Sequence, residues 1–78
     1  MKTITVYTTT QCPYCVMVKN FLTDQNIPFK EVNVEINPEI MNQLVQKTGQ
    51  FGVPQTEVDG QWIVGFDPKS MMTALERI

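Results

Sequence analysis

The sequence predicts an α/β domain: a four-stranded mixed sheet flanked by three helices, in the order β-α-β-α-β-β-α. Three observations predict it. The first segment alternates at period two and is rich in β-branched residues, then passes directly into a helical period. Proline stands at the first position of each helical segment, at Pro13, Pro38 and Pro68, behind Cys12, Asn37 and Asp67. Asp59-Gly60 separates two short apolar runs, the sequence signal of a tight hairpin.

In chain order, Thr3-Ile4-Thr5-Val6-Tyr7 reads as the first strand, and Thr8 to Gln11 as a polar link. From Pro13 the period is helical: Val18, Phe21 and Leu22 share a face, with Cys15 one turn before them. Asn26 and Pro28 stop that helix. Phe29 to Val34 reads as the second strand. Asn37 is a good N-cap for the next helix, and Glu39 suits its positive end. That helix is expected to turn Ile40, Met41, Leu44 and Val45 inward and to end at Gly49. Thr56 to Val58 and Trp62 to Val64 form the hairpin. Asp67 caps the last helix, whose buried stripe is Met71, Leu75 and Ile78. The first two strands, joined through a helix, must be parallel, and the hairpin adds two antiparallel strands. No linker-like stretch divides residues 1–78, so one domain is expected.

Composition narrows the function. With 78 residues, 42% apolar and 18% charged, the chain resembles an ordinary globular domain in its usage. A net charge of −2 provides no basic stripe, which argues against nucleic acid or an anionic membrane as the main partner. No apolar run approaches the ~18 residues of a membrane span, and no export-signal pattern is seen, so a cytoplasmic address is expected; a monomer is expected as well.

Cys12-Pro13-Tyr14-Cys15 contains both cysteines of the chain, set where a strand passes into a helix. Pro13 pre-sets the first turn and gives up an amide that would go unpaired there. The amides of Tyr14 and Cys15 can then approach the Cys12 sulfur, where the helix dipole favours negative charge; this should raise the thiolate fraction of Cys12. Cys15 lies one turn inside and is better covered. The pair therefore suits a dithiol that alternates with a disulfide. Other readings are a structural disulfide, which would close too small a loop to stabilise much, and a zinc site, which would have to be shared between two chains, since one chain has no histidine and no second cysteine pair.

Around the pair, Tyr14 is either a partner-facing aromatic or a packing residue. Lys19 is either a solvated charge or a group acting on Cys12 through space, and Thr8 to Thr10 could bring hydroxyls near the sulfur. Val53-Pro54 precedes the third strand; taken alone, its chance of being cis is about 5–6%. Gly65 and Asp67 read as turn and cap, Trp62 as core, and Phe66 as an aromatic in a turn where exposure would suggest docking.

Together, the strand before Cys12, the Cys-Pro-Tyr-Cys motif, Val53-Pro54 and the Gly65-x-Asp67 turn resemble the glutaredoxins, over essentially the whole length. The resemblance implies a thioredoxin-like fold, a cis Pro54 facing the active site, and a Val53 main chain that pairs with an extended substrate. It implies that Cys12 is the nucleophile and Cys15 the resolving cysteine, with Pro13 and Tyr14 in support and no metal or organic cofactor beyond glutathione as cosubstrate. The chain departs from glutathione-using glutaredoxins at three places. Thr9 stands where a basic residue is usual, Gly52 where threonine precedes Val-Pro, and Pro68 where a second aspartate follows. Each loss removes a contact to glutathione worth about 1.5–3 kcal/mol when charge-assisted.

Gly65-Phe66-Asp67-Pro68-Lys69-Ser70-Met71 resembles instead the Gly-Phe-x-Pro-x-x-apolar signature of NrdH-redoxins, although Cys-Pro-Tyr-Cys is not their common motif, the turn begins Trp62-Ile63-Val64, and Thr9 replaces their usual basic residue as well. That resemblance implies reduction by thioredoxin reductase and electron delivery to ribonucleotide reductase among disulfide-containing target proteins. Phe66 would offer targets an apolar contact. An iron–sulfur carrier bridging a cluster through Cys12 and glutathione, which Pro13 and Cys15 disfavour, and a pure interaction module are the remaining alternatives.

Overall fold

The computed structural model describes residues 4–50 and 52–76. Thr3 and Ile78, expected in the first strand and the last buried stripe, lie outside them. The elements are β1 (Ile4–Thr8), α1 (Pro13–Asp24), β2 (Lys30–Asn33), α2 (Pro38–Thr48), β3 (Gln55–Val58), β4 (Gln61–Val64) and α3 (Pro68–Glu76). The sheet order is β2-β1-β3-β4, with β1 and β2 parallel and the other neighbours antiparallel. This is the expected four-stranded mixed sheet with three helices, a thioredoxin-like fold. The second strand is one residue shorter at each end than expected, yet the Val34 amide still donates to the Thr8 carbonyl at 2.8 Å. β3 begins one residue earlier than expected, at Gln55.

Alternation divides the sheet into two unlike faces. Ile4, Val6, Val58 and Ile63 meet Val18 and Leu22 of α1 and Met71, Ala74 and Leu75 of α3 in one apolar cluster. Phe21, Ile27, Phe29 and Phe66 pack against its margin. The opposite face carries Thr5, Tyr7, Gln55, Glu57 and Trp62, and α2 lies over it. So mixed a surface offers a helix little apolar area. Of the four residues expected to point inward from α2, only Leu44 is buried; Ile40, Met41 and Val45 stay partly exposed. Trp62 is likewise only half-buried. It stacks on Tyr7 across the intervening β3, with ring centroids 5.6 Å apart. Burial, and then the nearby Glu57 carboxylate, push the Tyr7 phenol above its ordinary pKa.

The turns follow from local chemistry. Asp59 and Gly60 both take positive φ (49° and 90°), as a two-residue hairpin turn of the primed kind requires. Asn26 adopts φ 58° after α1 and passes the chain back so that the Ile27 amide reaches the Leu22 carbonyl. Asn37 departs from expectation. Its side chain makes no cap bond to α2 but donates to the Asn33 carbonyl at 2.8 Å, satisfying an acceptor at the end of β2.

Candidate active site

Strand directions bring the C-terminal ends of β1, β2 and β4 and the N-terminal end of β3 to one edge of the sheet. The sequence-predicted residues gather along that edge, although they come from three separated stretches of chain. Cys12 leaves β1 in extended conformation (φ −150°, ψ 98°) and caps α1, with Pro13 as the first helical residue. The Cys15 amide donates to the Cys12 sulfur at 3.1 Å, and the Val16 amide to the Cys12 carbonyl at 3.2 Å. Cys12 and Cys15 are joined as a disulfide, with Cα atoms 5.2 Å apart.

The two sulfurs occupy different environments. Cys15 is 1% exposed, whereas Cys12 keeps part of its surface open. Tyr14, between them, is 61% exposed and so is not a packing residue.

The neighbouring polar side chains are committed elsewhere. Lys19 pairs with Glu31 at 3.0 Å, and the wholly buried Thr8 hydroxyl donates to the same carboxylate oxygen at 2.9 Å. The Lys19 hydrogen bond, against the opposing effect of partial burial and with help from Thr8, holds Glu31 below the usual carboxylate range. Thr10 accepts from the Asn33 side chain at 3.2 Å. These bonds tie the Cys12 loop to β2, and they give Thr8, Thr10 and Lys19 partners other than the sulfur that the sequence suggested.

The Val53–Pro54 peptide is cis, and Pro54 is buried. Its carbonyl accepts from the Gly65 amide at 2.8 Å, which joins the proline to the turn before α3. Gly65 takes φ 81°, a conformation that favours glycine. Phe66 is half-buried against the core, not a free aromatic in a turn as its neighbours had suggested. Asp67 caps α3: its carboxylate accepts the Ser70 amide at 3.1 Å and the Ser70 hydroxyl at 2.8 Å. The Ser70 hydroxyl first, and then the Ser70 amide, hold the Asp67 carboxyl below its ordinary pKa.

Gln55 is the residue that sequence reading left out. It is wholly buried, and its amide donates to the carbonyls of Gln50 and Gly52. The available signal was alternation: Gln55 and Glu57 continue the period of Thr56 and Val58 on the opposite face. Among the described residues, no group of three or more His, Cys, Asp or Glu side chains could hold a metal ion, and no helix is long and apolar enough to cross a membrane.

Comparison with known proteins agrees with this architecture. The glutaredoxin family profile matches residues 4–63. A glutaredoxin of Pseudomonas aeruginosa is 34% identical over 77 residues, covering 99% of this chain and 88% of the relative. The thioredoxin-like protein BC3987 superposes with a TM-score of 0.84 at 31% identity, over 91% of this chain and 97% of that one. NrdH-redoxin from Escherichia coli shares the fold, with a TM-score of 0.80 at 24% identity over 90% of this chain and 91% of its own. The chain belongs to the glutaredoxin family of thiol–disulfide oxidoreductases, and the Cys12–Cys15 pair at the start of its first helix fits that family's redox-active motif.

Proposed function

We propose that the chain carries electron pairs to protein disulfides as an NrdH-like redoxin, reduced by a flavoprotein thioredoxin reductase and donating to ribonucleotide reductase. The observation that carries this reading is the asymmetric cysteine pair: one sulfur partly open at a helix start, the other 1% exposed behind it. The Cys12 thiolate, favoured by the Cys15 amide and the helix start, attacks one sulfur of a target disulfide. A Cys12–target bond forms, and the other target sulfur leaves as a thiolate. The Cys15 thiolate then attacks the Cys12 sulfur, forming the Cys12–Cys15 bond and expelling the second target thiolate. The target gains two electrons, and its thiolates take up protons from solvent. Two electrons from the reductase reopen the internal disulfide.

Pro13 and Tyr14 shape and flank the attacking sulfur in this scheme. Val53, held by the cis peptide to Pro54, gives an extended target a main-chain edge, and Gly65 and Phe66 border it. The preference for a reductase over glutathione is supported by the last helix. The Asp67 carboxylate is occupied by Ser70, and Pro68 has no amide to offer a γ-glutamyl carboxylate. Gly52 brings no hydroxyl in the place where glutathione-using relatives have a threonine. The cytoplasm, where thiols are kept reduced, is the setting this chemistry requires.

The test is NADPH consumption by thioredoxin reductase with the oxidised protein, beside glutathione with glutathione reductase. Turnover with thioredoxin reductase alone is expected. Turnover with glutathione alone would replace this reading by the second one, a glutathione-dependent glutaredoxin.

A further inference from the structure

Gln55 opens β3 directly after cis Pro54, with none of its surface exposed. Its side chain serves the segment before the strand. Nε2 donates to the Gln50 carbonyl at 3.0 Å and to the Gly52 carbonyl at 2.8 Å, so that one amide holds two carbonyls shortly before Val53. Oε1 is buried without a hydrogen-bond partner. Rotating the amide by half a turn would set an oxygen against two carbonyls, so the network itself fixes which atom donates. Methionine would fill a similar volume without burying an unpaired oxygen. Glutamine is thus a poor choice for stability here and a good one for holding two carbonyls.

We propose that Gln55 is a positioning residue for target binding, holding the Gln50 and Gly52 carbonyls so that the Val53 main chain is presented as a rigid edge. The ladder of β3 begins at Gln55, and the Pro54 carbonyl is taken by Gly65, which leaves Val53 outside the sheet's own pairing. The inference rests on reading Val53 as a docking edge for an extended target.

The experiment separates the two ideas. A short peptide carrying one cysteine, capped as its mixed disulfide with thionitrobenzoate, is compared with a twin bearing a backbone N-methyl group beside that cysteine. Stopped-flow release of thionitrobenzoate by the pre-reduced protein gives the ratio of the two rates. Losing one main-chain hydrogen bond should slow the wild type by about fivefold on methylation. In Gln55→Met the ratio should collapse to within about twofold of one. A wild-type ratio of one removes the docking edge, and this proposal with it. A ratio of similar size in wild type and variant leaves the edge standing and overturns the role of Gln55.

Gln55→Glu keeps the shape and provides a second route should the methionine variant fail to fold. Its ionised carboxylate cannot donate, whereas its protonated form can donate to one carbonyl. Discrimination should therefore be lost at high pH and return in part as pH falls. A Gln55→Glu ratio that stays at the wild-type value across the pH range would overturn the proposal.

Discussion

Two helix starts at the active-site edge are built alike and do different work. α1 and α3 each begin with a capping residue followed by proline, and each cap accepts the amide three residues on at 3.1 Å. At α3 the acceptor is the Asp67 carboxylate, reinforced by the Ser70 hydroxyl and charged over most of the pH range. At α1 it is the Cys12 sulfur, whose charge depends on its redox and protonation state. On the proposed mechanism, the same backbone geometry stabilises a helix in one place and prepares a thiolate in the other. What differs is the capping atom.

Exchanging that atom is the strongest way to break the comparison. Cys12→Ser keeps a capping oxygen but removes the nucleophile, and disulfide-reductase turnover should fall by at least about a thousandfold. Cys15→Ser should instead stall as a Cys12–target mixed disulfide, visible by intact-protein mass spectrometry. Retained turnover in Cys12→Ser would mean that the sulfur cap is not the attacking group.

The carboxylate cap should have a smaller and purely thermodynamic effect. Asp67→Ala should lower Tm near neutral pH by a few degrees. Because the folded-state pKa of Asp67 lies below its unfolded value, its contribution is complete above the unfolded carboxylate pKa of about 3.9 and is lost as pH falls through the folded one. Calorimetry should therefore find the gap between wild type and variant closing in strong acid. A gap of constant size would assign the effect to something other than the carboxylate's charge.

The smallest effect sharpens the account of Cys12. If the helix start is what favours the thiolate, Lys19→Met should leave the pH profile of Cys12 alkylation unmoved, because Lys19 is held by Glu31. Stability should change by less than about 0.5 kcal/mol, as is usual for a pair this exposed. A shifted alkylation profile would show that the lysine's charge reaches the sulfur.

Much of this was legible in the sequence, for physical reasons. Helix starts were marked by Cys12-Pro13 and Asp67-Pro68, and the hairpin by Asp59-Gly60, because each signal acts within a few residues. The cis peptide at Val53–Pro54 was legible only through family resemblance, since isolated Xaa-Pro pairs are mostly trans. Asn37 misled because an asparagine before proline suits a cap, yet the part-buried carbonyl of Asn33 took its amide. Lys19 and Thr8 were ambiguous because their partner Glu31 comes from the neighbouring parallel strand, and register cannot be read from sequence at that distance. Gln55 was missed because a buried glutamine is uncommon, and only the tertiary arrangement shows the two carbonyls that call for it.

The burial of Cys15 has a consequence for traffic. A carrier with two thiols open to solution could capture two clients at once and staple them together. With Cys15 at 1% exposure, this chain offers the outside world a single point of attachment and keeps its second sulfur in reserve. On the proposed mechanism, whatever docks is released from within before the next can be taken, so the molecule would serve its clients one at a time.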